Sequence, residues 1–199
     1  MKRLILAIVV VLFSFPVVTS AQGFDDYVVQ KGDSLWKIAV KFQIGFQNIL
    51  DANPLPNPNL IYPGQKIKIP NIDNIKAIEN EVIALTNQER AKQGLPPLKQ
   101  NWELSRVARY KSEDMSDKNY FSHTSPTYGS PFNMIKSFGI SHSAAAENIA
   151  QGQRTAAEVV KAWMNSSGHR ANILNGTYTE IGVGYDPDGN YWTQMFIKR

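Results

Sequence analysis

The sequence predicts an α+β protein made of two units, a small one followed by a larger one. In the small unit the predicted elements run in the order strand, helix, helix, strand. In the larger unit several amphipathic helices precede two strands, and the turn between these strands, at residues 186–190, predicts a β-hairpin. Because the helices come before the strands and do not alternate with them, a layered α+β domain is favoured for the larger unit.

The small unit covers residues 27–70 and opens with a short strand. Ser34 can cap a helix, since the apolar residues of the stretch 35–42 recur at helical spacing. A second short helix follows. Residues 66–69 alternate between polar and apolar, which is typical of a half-buried strand. A unit of this size can barely bury a core, so we expect nearly all of its apolar residues to serve it.

The larger unit covers residues 76–199, and a short polar linker at residues 71–75 joins it to the small unit. A first amphipathic helix is predicted over residues 75–94, with its apolar side chains on one stripe. Later helices are predicted to begin at Asn101, at residues 129–131, at the capping box of residues 155–158 and, capped by Ser167, in the run 167–174. Strands at residues 178–185 and 191–197 complete the unit.

Residues 1–20 have the pattern of a secretory signal peptide. Lys2 and Arg3 precede an apolar run at residues 4–13, and small residues at positions 18–21 suit a cleavage site. The apolar run is too short to predict a stable membrane span. We therefore expect a secreted protein that acts outside the cell membrane, and an uncleaved N-terminal anchor is the alternative.

The composition excludes several classes of function. The sequence contains no cysteine, which rules out a thiol nucleophile and a disulfide framework and favours a secreted bacterial protein. Removal of the basic residues Lys2 and Arg3 lowers the formal net charge from +4 to +2. Such mild basicity suits an anionic cell wall but is too weak to indicate nucleic-acid binding.

Five motifs spread over the small unit carry a resemblance to a known family. They are Tyr27-Val28-Val29, Gly32-Asp33-Ser34-Leu35, Ile38-Ala39, Asn53-Pro54 and Leu60-Ile61-Tyr62-Pro63-Gly64-Gln65. On these residues the unit resembles the LysM domain, a module that binds N-acetylglucosamine polymers such as peptidoglycan and chitin. The resemblance implies a glycan of this kind as the partner of the small unit.

The same resemblance implies that the glycan contacts come from two loops, one after the first strand and one before the second. These contacts map onto Gly32, Asp33, Ser34, Leu35, Leu60, Ile61 and Tyr62. Exposed backbone amides and small polar groups can bond the N-acetyl and hydroxyl groups, and apolar side chains can cover the sugar face. For any single side chain, such as Leu35 or Ile61, an ordinary place in the core is an equal alternative.

Five further motifs, found in order over residues 78–199, carry a second resemblance. They are Leu85-Thr86-Asn87-Gln88-Glu89-Arg90, Phe121-Ser122-His123, Ala146-Glu147-Asn148-Ile149-Ala150, the run 163–174 and Glu180-Ile181-Gly182-Val183-Gly184-Tyr185. Together they look like the bacterial branch of the CAP superfamily, which includes cysteine-rich secretory proteins, insect venom antigens and plant pathogenesis-related proteins. The resemblance implies an α-β-α sandwich.

In many CAP proteins two histidines and acidic residues converge in a surface cleft, and some members bind zinc or another divalent ion there. By motif, the resemblance places His123, Glu147 and His169 in such a cleft. Two neutral imidazoles and a carboxylate can hold zinc with one coordination position open. Without a metal, the same trio can orient a water molecule, or bind an anion once the histidines are protonated.

A departure from the family pattern and the ordinary structural roles of these residues keep other interpretations of this cleft open. Ser166 stands where animal members often carry a second glutamate, which weakens a proposal of paired carboxylates for acid–base catalysis. Each histidine could instead satisfy local backbone groups, and Glu147 could be a buried carboxylate that orients a histidine.

The sequence leaves three functions open. The first is a cell-wall-associated, non-enzymatic protein that binds a ligand or protein partner in the CAP cleft, and it is favoured. The second is a hydrolase of wall material or protein, but neither the H-E-x-x-H nor the G-x-S-x-G signature is present. The third is a scaffold for envelope or spore-layer proteins.

Overall fold

The computed structural model describes residues 23–199, so the predicted signal peptide lies outside the described residues. The helices and strands of residues 23–199 follow one another in a fixed order. They are β1 (Phe24–Val28), α1 (Leu35–Phe42), α2 (Phe46–Ala52), β2 (Lys66–Pro70), α3 (Asp73–Ala91), β3 (Lys99–Gln100), α4 (Trp102–Asp117), α5 (Pro131–Ser137), β4 (Ala144–Gln151), α6 (Ala156–Asn165), α7 (Ser167–Ile173), β5 (Glu180–Asp186) and β6 (Tyr191–Lys198).

The small unit is a two-stranded antiparallel sheet with two helices packed on it. Strands β1 and β2 pair from Phe24 opposite Pro70 to Val28 opposite Lys66. Ser34 caps α1, because its hydroxyl accepts a hydrogen bond from the Lys37 backbone N–H at 3.2 Å. The predicted order of strand, helix, helix and strand is therefore confirmed.

Asn53 joins the second helix to the second strand of this unit. Its side-chain amide donates to the backbone carbonyls of Ile49 at 2.8 Å and Lys68 at 2.7 Å, and its carbonyl oxygen accepts from the Lys68 N–H at 2.8 Å. This side chain thus satisfies backbone groups of both α2 and β2, which explains the Asn-Pro motif at the end of the second helix in structural terms.

The larger unit is an α-β-α sandwich around a four-stranded sheet of order β3-β5-β6-β4. Strands β5 and β6 form the predicted hairpin, and β3 pairs with β5 in parallel. Helices α3, α6 and α7 cover one face of the sheet around the buried Trp163 and Trp192. Helices α4 and α5 cover the other face, around Leu104 and Met195. The predicted sandwich is confirmed.

Two glycines of β5 allow α4 to lie directly on the sheet. A Cβ atom at Gly182 would overlap the backbone of Leu104 and Ser105, and one at Gly184 would overlap the backbone of Ala108 and Arg109. The helix axis therefore approaches the strand more closely than any larger residue would permit.

The structure differs from the sequence prediction in several details, among them the unpredicted strand β3. Helix α3 begins at Asp73, so the last three residues of the predicted linker are helical. Ser166 is the N-cap of α7, where Ser167 was expected to cap it. The sequence did not predict β4, whose residues Ala144–Gln151 pair antiparallel with β6. Its alanines favour helix when considered alone, and the pairing with β6 overrides that preference.

The two units contact each other. The backbone N–H of Gln47 donates to the Tyr110 hydroxyl at 3.4 Å, and the Lys76 ammonium donates to the Phe42 carbonyl at 2.9 Å. A Cβ atom at Gly45 would overlap the Tyr110 hydroxyl, so this approach needs a glycine. None of the helices within residues 23–199 is long and apolar enough to cross a membrane.

Candidate functional site

Helix α4 holds the loop that carries His123. The buried Lys111 ammonium donates to the Ser122 carbonyl at 2.6 Å and to the Tyr120 hydroxyl at 2.9 Å. One helical turn further on, the Asp114 carboxylate accepts hydrogen bonds from Tyr120 at 2.5 Å and from Ser125 at 2.7 Å. Lys111 and Asp114 of one helix thus hold the loop residues that precede and follow His123.

His123 and Glu147 are directly hydrogen-bonded. The Nδ1 atom of His123 lies 2.8 Å from Oε1 of Glu147, and the histidine side chain is 53% exposed while the glutamate side chain is only 2% exposed. Burial raises the pKa of Glu147, although the hydrogen bond with His123 and the charge of Lys111 lower it. The carboxylate therefore orients the imidazole from beneath and leaves Nε2 directed away from it.

His169 lies on α7 and shares a cleft with His123. This cleft, of about 650 Å³, is also lined by Phe121, Trp163 and Ser166. Burial lowers the pKa of His169, and the positive charge of His123 lowers it further. The structure thus brings two of the three residues of the predicted cleft to one surface, and it places Glu147 behind His123.

The three side chains do not fit a three-ligand zinc site as they stand. Among residues 23–199, no group of three or more His, Cys, Asp or Glu side chains is arranged to hold a metal ion. One nitrogen of His123 is engaged by Glu147, whose second oxygen Oε2 is buried without a hydrogen-bond partner. Zinc binding in this cleft therefore stays a prediction.

A buried network of amide side chains, which the sequence analysis did not identify, holds α7 against β4. The Asn148 amide donates to the His169 carbonyl at 3.1 Å and to Oε1 of Gln194 at 3.0 Å. Asn172 donates to Oδ1 of Asn148 at 2.8 Å, and Gln194 in turn donates to the Thr86 hydroxyl at 2.8 Å. All of these residues except Gln194 belong to the sequence motifs, so the motifs contain the side chains that position His169 as well as His169 itself.

The seven residues of the predicted glycan site separate into two groups. Asp33, Ser34, Leu35 and Ile61 line one groove of about 700 Å³, together with other side chains of both units. Gly32, Leu60 and Tyr62 lie in the same two loops and are exposed, but they are not part of the groove wall. The two loops that the LysM resemblance assigned to glycan contacts therefore converge on one groove.

Several of these predicted contact residues also hold the fold. The Asp33 carboxylate accepts from the Gln30 N–H and from the Tyr27 hydroxyl, each at 2.8 Å, and these two bonds lower its pKa. Ser34 caps α1, and Leu35 is only 2% exposed. Their side chains are thus largely engaged within the domain.

The groove contains further residues that the sequence motifs did not predict. Trp36 is 48% exposed and lines the groove, as do Asn59 and Pro58. Trp36 directly follows the Gly32-Asp33-Ser34-Leu35 motif, and this position was the signal available in the sequence.

The fold and the two sites define a LysM module joined to a CAP-type sandwich domain. Residues 27–70 match the family model of the LysM domain, and residues 83–196 match the model described as CAP, the cysteine-rich secretory protein family. The chain belongs to the cysteine-rich secretory protein family.

Three of the similar proteins come from bacteria. The chain is 64% identical over 126 residues to the uncharacterized protein YkwD of Bacillus subtilis, covering 63% of this chain and 49% of YkwD. Its fold is similar to that of an extracellular SCP-domain protein from Bacillus anthracis whose crystal structure is known, with a TM-score of 0.60. The two sequences are 36% identical, and the match covers 69% of this chain and 47% of that one. The LysM region is 49% identical over 51 residues to the N-acetylmuramoyl-L-alanine amidase sle1 of Staphylococcus aureus, covering 26% of this chain and 15% of sle1. The chain spans about half the length of the curated relatives it matches.

Proposed function

We propose that this chain is an extracellular, cell-wall-associated bacterial protein that binds the N-acetylglucosamine glycan of peptidoglycan through its LysM domain. The observation that carries this proposal is the convergence of the loops at Asp33–Leu35 and Pro58–Ile61 on one groove. Backbone groups of these loops and the amide of Asn59 are suited to the N-acetyl and hydroxyl groups of a sugar. The exposed ring of Trp36 is suited to its apolar face.

The experiment is sedimentation of the full chain with purified peptidoglycan. We expect the wild type to sediment, and Trp36→Ala and Asn59→Ala to stay largely in the supernatant. Phe24→Ala is the matched control, because Phe24 is also an exposed aromatic (53% exposed), at the start of β1, but lies outside the groove. A wild-type protein that stays in solution, or equal sedimentation of all variants, would overturn the proposal.

The CAP domain, in this proposal, presents the cleft of His123, Glu147 and His169 as a binding site for a ligand or a protein partner. Its half-exposed imidazole and the partly apolar wall formed by Phe121 and Trp163 are suited to binding a polar group beside an apolar one.

A hydrolase is the second candidate, and one observation favours it. The hydrogen bond of 2.8 Å between His123 and Glu147 gives the histidine the orientation that a general base needs to activate a water molecule. Release of soluble fragments from peptidoglycan distinguishes the candidates. Release that is lost in His123→Ala and His169→Ala but kept in His142→Ala would support hydrolysis, whereas background release from the wild type would exclude it for this substrate.

A further inference from the structure

The groove of the LysM domain continues onto the CAP domain. In addition to the loops at Asp33 and Ile61, it is lined by four larger side chains of the CAP domain, namely Arg106, Tyr110, Tyr128 and Phe138. A glycan that lies in the LysM loops therefore also meets a surface of the second domain.

Arg106 is the only charged CAP-domain side chain among the described residues of this groove. It projects from α4 and is 5% exposed. Its guanidinium carbon lies 5.0 Å from the centre of the Trp36 ring and 5.5 Å from that of Phe138. The two domains thus hold one cation between aromatic rings.

Within residues 23–199 Arg106 has no anionic side chain in direct contact, although the charge of Glu103, one helical turn away, acts on it. No ion pair of residues 23–199 includes Arg106, and its buried Nε has no hydrogen-bond partner. Burial also lowers the pKa of Arg106, and the charge of Glu103 offsets this only in part. Buried cations in proteins are ordinarily paired, so a groove that leaves one unpaired is suited to an anionic ligand.

Peptidoglycan and chitin differ in this kind of charge. Both are β-linked polymers that contain N-acetylglucosamine, but every second sugar of peptidoglycan carries a lactyl acid, either free or extended by a peptide with its own carboxylates. A carboxylate can accept two parallel hydrogen bonds from a guanidinium group, and this pairing is both strong and directional.

We propose that the groove between the domains binds a carboxylate-bearing glycan, with Arg106 as the carboxylate-binding residue, so that the CAP domain gives the LysM site a preference for peptidoglycan over chitin. The proposal rests on the proposed glycan binding by the LysM domain. Tyr128 and Phe138, whose ring centres lie 5.8 Å apart, extend the apolar wall beside the sugar.

The experiment measures the affinity of the full chain for three soluble glycans by calorimetry. They are an N-acetylglucosamine tetrasaccharide, an alternating tetrasaccharide with free lactyl acids, and the same alternating sugar with its peptides. We expect the wild type to bind at least one carboxylate-bearing glycan about tenfold more tightly than the neutral one. The lactyl and peptide arms identify which carboxylate Arg106 meets.

Arg106→Gln should remove this preference, so that the three glycans bind to the variant with affinities within about twofold of one another. Lys136→Gln is the matched control, because Lys136 is an exposed cation on the adjoining α5 outside the groove, and it should keep the preference. Arg106→Lys retains the positive charge but not the planar guanidinium group. It should keep part of the preference, and it thereby shows whether the loss of preference in Arg106→Gln comes from the lost charge or from altered packing.

The outcomes separate this proposal from the one it rests on. A wild type that binds none of the three glycans overturns both proposals. A wild type that binds all three equally, or an Arg106→Gln variant that weakens all three equally while remaining folded, overturns only the role of Arg106.

Discussion

The carboxylate of Glu79 and the guanidinium of Arg109 form a two-point ion pair in the interior of the CAP domain. Nε of Arg109 lies 2.7 Å from Oε1 and Nη2 lies 3.1 Å from Oε2. Oε1 also accepts from the Tyr185 N–H at 3.2 Å, and Nη1 of Arg109 reaches the Gln43 carbonyl of the LysM domain at 3.5 Å. This pair therefore connects α3, α4 and β5, and it extends to the neighbouring domain.

Removal of one member of this pair should be strongly destabilising. We expect Glu79→Ala to lower the free energy of unfolding by about 3–5 kcal/mol, because Arg109 would remain buried without its counter-charge. Urea denaturation followed by tryptophan fluorescence measures this change. The double variant Glu79→Leu with Arg109→Met should cost less than Glu79→Ala, since no buried charge remains unpaired.

An exposed ion pair in the small unit serves as the control for the buried pair of Glu79 and Arg109. Asp26 and Lys66 lie 3.8 Å apart with most of both side chains in solvent. Asp26→Ala should change the free energy of unfolding by no more than about 0.5 kcal/mol. A loss at Glu79 as small as this would contradict the structural role assigned to the buried pair.

The contact of α4 with β5 gives a second prediction. Gly184→Ala should lower the free energy of unfolding by about 3 kcal/mol, because its Cβ would overlap the backbone of Ala108 and Arg109, which cannot move aside as a side chain could. Gly168 in α7 has no atom near an added Cβ, so Gly168→Ala should be neutral or stabilising by up to about 1 kcal/mol. If thermal unfolding shows equal changes in stability for Gly184→Ala and Gly168→Ala, the close approach of α4 to β5 is contradicted.

The sequence predicted those elements whose boundaries depend on local chemistry. Ser34, Asn101 and Thr155 each accept a hydrogen bond from a backbone N–H three residues further on, and this geometry is encoded within a few residues. The hairpin of β5 and β6 is likewise local. In such cases the residue types alone predict the element.

Features that depend on distant parts of the chain were not predictable in this way. β4 exists because β6 pairs with it from Ala144 opposite Lys198 to Gln151 opposite Tyr191. The groove wall at Arg106 exists because the LysM domain places Trp36 against it. The resemblance to CAP proteins did predict His123 and His169 in one cleft, but only the folded chain shows that Glu147 lies behind His123.

The loop that carries His123 gives a prediction about pH. Burial on its own would raise the pKa of Asp114, but hydrogen bonds from Thr127, Tyr120 and Ser125 outweigh it and lower the pKa from its ordinary 3.8 to about 2. A carboxyl group with a lowered pKa stabilises the folded state fully above its ordinary value. That contribution is lost as the pH falls from about 4 to about 2.

Asp114→Asn should therefore lower the free energy of unfolding by about 2 kcal/mol at pH 7. The difference from the wild type should shrink as the pH falls through this range. Urea denaturation at pH 7, pH 4 and pH 2.5 measures it. Asp117→Asn, on the same helix but exposed, is the control and should change little at any pH. A constant difference for Asp114→Asn at all three pH values would contradict the explanation.

The two histidines of the CAP cleft give the last prediction. Burial lowers the pKa of His169 below its ordinary 6.5, and the positive charge of His123 lowers it further. His123→Ala removes that charge, so it should raise the pKa of His169 towards 6.5. The measurement is an NMR titration of the histidine ring protons in the presence of EDTA. His142→Ala is the control, because His142 lines a different pocket together with Glu103 and Arg199, and it should leave the titration of His169 unchanged. If His123→Ala also leaves that titration unchanged, the two rings do not share a cleft in solution, and the binding site proposed for the CAP domain fails with them.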